Sequence, residues 1–362
     1  MRKKSLKDSL WLKVGLLALA LVGIVIINLF LDSYKVKVLN LCAIYVILGL
    51  SMNLINGFTG LFSLGHAGFM AIGAYTVAIL TMPLEAKEMN YYMKPMVPFL
   101  LNLNLPFIFA LLIGGLLAAL FGFLIGAPVL KLTDDYLAIA TLGFSEIIRI
   151  VFINLQSITN GSLGLKAIPQ MTNKFIALPL GLSPKTNLLW AWGMAILTII
   201  FMQLLMKGSY GKAFKAIRED EIAARSMGIN LFKHKVMSFT IGSFLAGIGG
   251  GLLAVHLGTI DPALFKFALT FNILLIVVLG GMGNIYGTVI AAIVITIAME
   301  ALRFLDEPIN LGFLTTPALP GLRMVVFSLA LMVVVIFKRE GFLRESLEKV
   351  LEKVRGKYAK NQ

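Results

Sequence analysis

The stretch LPFIFALLIGGLLAALFGFLIGAPVL occupies residues 105–130 and contains no charged side chain. A helix needs roughly 20 apolar residues to cross a hydrocarbon core that is about 30 Å thick. Backbone amides and carbonyls find no water in that core, so a run of this kind must pair them within itself as a helix. Residues 105–130 therefore predict a transmembrane helix.

The rest of the chain repeats this pattern. Of its 362 residues, 59% are hydrophobic and 14% are charged, and the mean hydropathy is +0.90, which is outside the range of soluble domains. We predict an all-α, polytopic integral membrane protein whose transmembrane domain covers residues 11–337 and contains about ten transmembrane helices. The ten apolar segments lie at about 11–31, 37–56, 60–82, 105–130, 136–155, 187–207, 235–257, 268–280, 285–303 and 321–337.

The basic residues give these segments an orientation. The net charge is +14, but the chain has no Lys/Arg stripe interleaved with aromatic residues, so we predict no nucleic-acid partner. Ten crossings from a cytoplasmic N-terminus place the basic stretches 1–13, 207–235 and 338–362 on one side, as the positive-inside rule requires. Residues 1–10 and the basic amphipathic tail 338–362 are therefore predicted to be cytoplasmic, with the tail on membrane lipid.

One apolar segment, near residues 57–75, has a weakened helix propensity. Its glycines are Gly57, Gly60, Gly65, Gly68 and Gly73. Each glycine inside a helix costs about 1 kcal/mol relative to alanine. The segment is therefore either a plain span or a re-entrant or broken helix whose backbone lines a cavity.

The polar segment within 207–235 predicts a short amphipathic helix that lies along the membrane. Apolar and small side chains recur at helical spacing, whereas charged side chains fall on another face, and Gly228 ends the helix. The apolar set is Ala213, Ile217, Ala224 and Met227, and the charged set is Arg218, Glu221 and Arg225. A solvated connector stabilised by its own ion pairs is the alternative interpretation.

Four blocks of sequence resemble the branched-chain amino acid permease family of ABC importers, and specifically the longer of its two permease subunits. They are GLSMNLINGFTGLFSLGHAGFMAIGAY at 49–75, DDYLAIATLGFSEIIRIV at 134–151, SYGKAFKAIREDEIAARSMGI at 209–229 and ILLIVVLGGMGNIYGTVIAA at 273–292. The blocks occur in the family's order, and the resemblance runs from about residue 40 to 335.

The resemblance implies that 209–229 is a coupling helix, which sits in a cleft of an ATP-binding subunit. The residues implied to serve this contact are Arg218, Glu219, Asp220, Glu221, Ala223, Ala224 and Gly228. Importers generally carry Glu-Ala-Ala followed by a glycine. Here Ala223, Ala224 and Gly228 match this pattern, whereas Ile222 stands at the Glu position and Glu221 precedes it.

The resemblance also implies the partners and the energy source. These are a second permease subunit, two ATP-binding subunits, an extracytoplasmic solute-binding protein and the lipid of a prokaryotic plasma membrane. The chain has no G-x-x-x-x-G-K-[ST] loop, so we expect ATP and Mg²⁺ on the partner subunits and no cofactor on this chain. Contact of the tail 338–362 with the ATP-binding subunit is an alternative to its lying on lipid.

Polar residues near the glycine-rich segment are candidates for a substrate pathway. They are Asn53, Thr59, Ser63 and His66. Small residues at spacings of three and four also allow close helix packing, so packing is the competing interpretation. His66, His234 and His256 are too scattered for a metal site, and the single Cys42 excludes a disulfide framework.

A charged pair lies inside another span. Glu146 and Arg149 are three residues apart, so they share a helix face and can neutralise each other. The pair is either part of the pathway or gate, where it could match a zwitterionic amino acid, or a structural ion pair.

Two series of small residues in 235–257 predict a tight helix contact, which could be with the partner permease. One series is Gly242, Ala246 and Gly250, and the other is Ser243, Gly247 and Gly251.

The sequence thus favours a non-catalytic permease subunit that moves branched-chain or other small amino acids by alternating access. Two alternatives stay open. The first is an ABC permease for urea or short amides, because relatives with these substrates share the same blocks. The second is a self-sufficient ion-coupled secondary transporter that uses Glu146 or His66 as a proton relay.

Overall fold

The computed structural model describes residues 32–132, 134–170, 188–303, 321–322, 325–329 and 332. Four predictions lie outside these residues or almost entirely outside them. They concern the N-terminus 1–10, the span 11–31, most of the span 321–337 and the tail 338–362.

The regular elements of the described residues are helical, apart from an isolated bridge between Leu165 and Ile260. The long helices are α1 (Ser33–Met52), α2 (His66–Thr81), α5 (Phe107–Val129), α6 (Asp134–Asn154), α8 (Leu188–Lys207), α11 (Leu231–Leu257), α12 (Phe267–Gly280) and α13 (Ile285–Ala301). The short ones are α3 (Leu84–Asn90), α4 (Pro98–Leu101), α7 (Gln156–Thr159), α9 (Ser209–Glu219) and α10 (Glu221–Ser226), with 3₁₀ turns at Gly161–Leu163 and Pro262–Phe265.

The helix lengths confirm an all-α, polytopic membrane protein. Five helices are long and apolar enough to cross a membrane, and three more of 10–17 residues are apolar but shorter. These eight helices coincide with the eight predicted spans between residues 37 and 303.

Helix α11 lies at the centre of the bundle and packs on α2 and α5 through glycines. A Cβ atom added at Gly250 would lie 2.1 Å from the Met70 carbonyl oxygen, and one at Gly73 would lie 2.0 Å from the Gly247 carbonyl oxygen. Gly247 in turn faces Gly114 of α5. Backbones can approach this closely only where side chains are absent.

These contacts locate the predicted small-residue series of α11. The series face α1, α2 and α5 of the same chain and are buried within it. The prediction of a tight helix contact is confirmed. The suggestion that the partner permease provides this contact is wrong for Gly242, Gly247, Gly250 and Gly251. Helices of one chain fill these grooves.

The weak segment near 57–75 is a broken helix. Helix α1 continues as a π-helical turn at Asn53–Phe58, residues 59–65 are not helical, and α2 begins at His66. The amide of Leu64 donates to Thr141 Oγ1 of α6 (3.0 Å), and the amide of Ala67 donates to Thr270 Oγ1 of α12 (2.9 Å). Threonine side chains from two other helices therefore satisfy amides that the break leaves without a helical partner.

A buried lysine organises the loops at the end of the bundle where α2 ends and α5 begins. Lys87 is 1% exposed, and its Nζ donates to the carbonyls of Leu100 (2.8 Å), Leu101 (3.3 Å) and Leu103 (2.5 Å). Burial lowers the pKa of Lys87 from its ordinary value. Three carbonyl acceptors nevertheless match the three donors of the ammonium form. The lysine thus ties α3 to the loop that enters α5.

We predict that Gly250→Ala destabilises the bundle. The new Cβ meets backbone rather than a movable side chain, so the helices must separate, at a cost of about 1–3 kcal/mol. The measurement is the free energy of unfolding in mixed detergent micelles. The matched control is Gly143→Ala in α6, where an added Cβ has no atom within 4 Å. Equal stabilities of the two variants would contradict the packing described above.

Candidate functional site

The segment predicted as one amphipathic helix, 209–229, is two helices that meet at Asp220. The backbone of Asp220 is extended (φ −160°, ψ 116°). Its side-chain Oδ1 accepts hydrogen bonds from the amides of Ile222 (2.7 Å) and Ala223 (2.9 Å). Asp220 is therefore the N-cap of α10, a position that aspartate favours. Gly228 lies beyond α10 with a φ of +82°, which fits its predicted role as a stop. We call α9, Asp220 and α10 the coupling hairpin.

The side chains of the coupling hairpin divide into a buried set and an exposed set. Ile217 and Ala224 are 2% and 3% exposed and face the bundle, whereas Ile222 and Met227 are 80% and 82% exposed. Met227 was predicted on the apolar face with Ala224, and this was wrong because α10 ends at Ser226 and Met227 lies beyond it. The outward surface includes Glu219, Asp220, Ile222, Ala223, Met227 and Gly228.

Glu221 faces the bundle side of the coupling hairpin. Its carboxylate forms an ion pair with Lys235 Nζ of α11, and the Lys235 side chain is only 10% exposed. The pair holds α10 against the first turns of α11. The alternative interpretation of this segment, a solvated connector, requires ion pairs within the segment. The pair between Glu221 and Lys235 instead joins α10 to α11.

Arg218 joins the coupling hairpin to two other elements. Its Nη1 donates to the Gly57 carbonyl (2.9 Å), at the end of the π-helical turn, and lies 3.5 Å from the Met282 carbonyl, in the turn between α12 and α13. The arginine stem also passes Gly60, where an added Cβ would lie 3.1 Å from Arg218 Cγ. We call these contacts the Arg218 bridge.

Asn53 joins the same two elements from inside. Its Nδ2 donates to Thr288 Oγ1 (2.7 Å) and to the Asn284 carbonyl (3.1 Å), and its Oδ1 accepts from the Gly283 amide (2.8 Å). Gly57 leaves space for this side chain, since a Cβ there would lie 1.7 Å from Asn53 Oδ1. Asn53 is fully buried. The start of the break, the turn between α12 and α13 and the coupling hairpin are thus one hydrogen-bonded unit.

The other predicted pathway residues lie in the break itself. Thr59 Oγ1 bonds with Ser238 Oγ (2.7 Å) and the Leu54 carbonyl (3.0 Å), and Asn56 bonds with the backbone of Ser63. His66 begins α2, is 3% exposed and has an Nε2 atom without a hydrogen-bond partner. The structure therefore brings Asn53, Thr59, Ser63 and His66 to one interrupted helix, with His66 the member that keeps free hydrogen-bonding capacity.

Glu146 and Arg149 form the predicted ion pair on α6. Arg149 Nε lies 2.7 Å from Glu146 Oε2, and the two side chains are 22% and 32% exposed, respectively. The pair follows Ser145, whose Cα lies 3.0 Å from a Cβ built on Gly68 of α2. The two residues neutralise each other on one helix face, and their pathway role stays a prediction.

Several residues that complete this region were not predicted from the sequence. Thr141, Ser238 and Thr270 bond with the break, and Asn56 bridges it. A single hydroxyl residue in an apolar span usually bonds with its own helix. Each of these residues alone therefore did not indicate a contact with the break. Their occurrence opposite a glycine-rich break is the pattern that could have indicated them.

The family described as the permease component of the branched-chain amino acid transport system matches residues 34–336. This chain belongs to that family. The match includes the broken helix, the coupling hairpin and the turn between α12 and α13, so the hydrogen-bonded unit lies wholly within the family's region.

Three relatives illustrate the similarity. The high-affinity branched-chain amino acid transport system permease protein LivM of Escherichia coli is 38% identical over 75% of this chain, and the match spans 64% of its own length. LivM of Salmonella typhimurium is 36% identical over 83% of this chain and 71% of its own length. The permease protein LivH of Escherichia coli is 28% identical over 44% of this chain and 48% of its own length. No solved structure matches the chain.

We predict a measurable coupling energy between Asn53 and Thr288. Asn53→Ala leaves buried partners unsatisfied, so the free energy of unfolding should fall by about 1–3 kcal/mol. Asn53→Ala and Thr288→Val should be non-additive, because each removes the same hydrogen bond. A double-mutant cycle on the unfolding free energy measures this coupling.

The control cycle pairs Asn53→Ala with Thr296→Val. Thr296 is also buried on α13, but its hydroxyl bonds with Ala292 of its own helix. That cycle should be additive. Additivity in both cycles would contradict the bond between Asn53 and Thr288.

Proposed function

We propose that this chain is the permease subunit of an ATP-driven importer that moves branched-chain or other small amino acids by alternating access. Family membership supports a transport role, and the names of the LivM relatives support the substrate class. The chain itself is non-catalytic in this proposal, and ATP and Mg²⁺ bind to two partner ATP-binding subunits. A second permease, for which LivH is the precedent, and an extracytoplasmic solute-binding protein complete the assembly.

The Arg218 bridge is the observation that carries this proposal. The coupling hairpin presents exposed residues outward and holds the broken helix through the Gly57 carbonyl. A movement imposed on the hairpin by an ATP-binding subunit is therefore passed to the broken helix and to the turn between α12 and α13. Packed elements transmit such displacements as rigid bodies.

The broken helix is the proposed moving part of the pathway. Interrupted spans in transporters place irregular backbone and helix ends at substrate sites. His66 has an unpartnered ring nitrogen beside this break, so we assign it to the pathway together with Ser63 and Thr59. Asn53 serves the same region as a link to α13, and Glu146 and Arg149 are proposed to line the pathway from α6.

The proposal fixes the orientation of the chain. An ATP-binding subunit is cytoplasmic, so the coupling hairpin lies on the cytoplasmic side of a prokaryotic plasma membrane. The basic stretches 1–13, 207–235 and 338–362 then share that side, which agrees with the positive-inside rule. Both termini are accordingly cytoplasmic.

We expect Arg218→Gln to separate ATP hydrolysis from transport. Loss of a charge-assisted hydrogen bond costs about 1.5–3 kcal/mol, so uptake per ATP hydrolysed should fall about tenfold or more. Uptake and ATPase activity are measured in vesicles that contain the complete transporter. Lys212→Gln is the control, because Lys212 is exposed on the same helix.

Unchanged coupling in Arg218→Gln would refute the bridge as the transmitting contact. Uptake by this chain alone, driven by a pH gradient and indifferent to ATP, would instead establish a secondary transporter. A solute-binding protein specific for urea would reassign the substrate while leaving the coupling mechanism in place.

Neighbouring alanines of α10 provide a second test. Ala223 is exposed and Ala224 is 3% exposed, so Ala223→Glu should weaken binding of the ATP-binding subunit without changing the unfolding temperature of the isolated chain. Ala224→Glu should lower that temperature, since it buries a carboxylate. Copurification and thermal unfolding measure the two effects. Equal binding by Ala223→Glu and wild type would exclude this surface as the docking site.

A further inference from the structure

A pocket lies between the C-terminal end of α5 and the coupling hairpin. Its volume is about 460 Å³. Residues from the end of α5, from α10 and from the start of α11 line it. They are Leu130, Lys131, Leu132, Glu221, Arg225, Leu231, Phe232 and Lys235.

The polar lining of this pocket is positively charged. Three basic side chains, Lys131, Arg225 and Lys235, face one acidic side chain, Glu221. Glu221 is already paired with the nearly buried Lys235. Lys131 Nζ lies 5.9 Å from the centre of the Phe232 ring, and within the described ranges no carboxylate lies in ion-pair distance of Arg225. Among the side chains that the structure describes, Lys131 and Arg225 therefore form no ion pair.

The pocket also has apolar lining residues, and it lies at the end of α5, whose outer surface is apolar. Leu132 and Phe232 are 46% and 45% exposed at the rim. Within α5 itself, exposed leucines at four-residue spacing form an apolar strip. Leu124, Leu120 and Leu116 are 56%, 51% and 60% exposed along this strip. The pocket thus lies where the apolar surface of a span gives way to charged residues.

We propose that this pocket binds the headgroup of an anionic phospholipid. The phosphate would lie between Lys131 and Arg225, and the acyl chains would extend along the strip of α5. A free phosphate has the same charge but gains nothing from the apolar strip, so the lipid is the better match. Basic pockets at the cytoplasmic ends of spans recognise anionic headgroups in this way.

Such a lipid links two separate parts of the chain. Lys131 belongs to the end of α5, whereas Arg225 belongs to the coupling hairpin. A phosphate held by both would brace the hairpin against α5 and restrict its movement. Lipid composition would then influence how well the hairpin transmits motion, although binding itself requires neither ATP nor a transported solute.

Direct titration of the full-length chain tests this proposal. The chain is purified in neutral detergent and titrated with phosphatidylglycerol or phosphatidylcholine, and bound lipid is counted by native mass spectrometry. We expect one saturable site that prefers phosphatidylglycerol. Arg225→Gln and Lys131→Gln should each weaken it about fivefold, since a basic residue at such a surface contributes about 1 kcal/mol.

Lys233→Gln is the matched control. It removes the same charge from an exposed lysine of α11 that does not line the pocket, and it should bind phosphatidylglycerol like the wild type. An equal loss in all three variants would show diffuse attraction and overturn the proposal. Thermal unfolding identifies a variant that fails to fold. Because Lys131 and Arg225 lie in different elements, the variant that folds still tests the proposal if the other does not.

Two further arms separate the lipid from other ligands. Glycerol phosphate or inorganic phosphate that competes at the same concentration as phosphatidylglycerol would make this a free-anion site and overturn the proposal. The variants are also tested for copurification with the ATP-binding subunit. Loss of that subunit with unchanged lipid binding would assign the pocket to protein docking and likewise overturn it.

Discussion

Unpaired backbone is costly in a lipid bilayer, yet residues 59–65 are not helical, and Thr59, Leu61, Ser63 and Gly65 among them are buried. Their existence depends on side chains that other helices provide. Thr141 and Thr270 accept from the amides of Leu64 and Ala67, and Ser238 bonds with Thr59. Because these partners come from α6, α11 and α12, the break fixes the mutual position of these helices. The coupling hairpin then attaches to this arrangement through Arg218.

The sequence predicted the helices well because their physical cause is local. An apolar run in lipid must pair its own backbone groups and therefore forms a helix. The eight predicted spans between residues 37 and 303 are helices. The broken helix was one of two stated interpretations, since glycine lowers helix propensity wherever it occurs. The orientation of the chain and the pathway roles remain proposals.

The contacts between elements were less predictable because they depend on register. The ATPase contact of Arg218 stays a prediction, but its hydrogen bond with the Gly57 carbonyl of the same chain was not foreseen. Met227 was assigned to the apolar face, because one continuous helix was assumed through Asp220 and past Ser226, where α10 ends. Aspartate at a helix start is a recognisable cap, so this boundary was readable in principle. In contrast, the sequence does not indicate that Asn53 bonds with Thr288, which is 235 residues away.

The threonine partners of the broken helix also have a consequence for biosynthesis. Leu64 and Ala67 are synthesised long before Thr141 and Thr270, so their amides emerge when their eventual acceptors do not yet exist. A nascent chain cannot leave such amides in lipid without a penalty of several kcal/mol for each group. The break must therefore stay beside water or the insertion machinery until α12 has been made. The order of translation thus makes α2 a span that is synthesised before α6 and α12 but reaches its final place only after them.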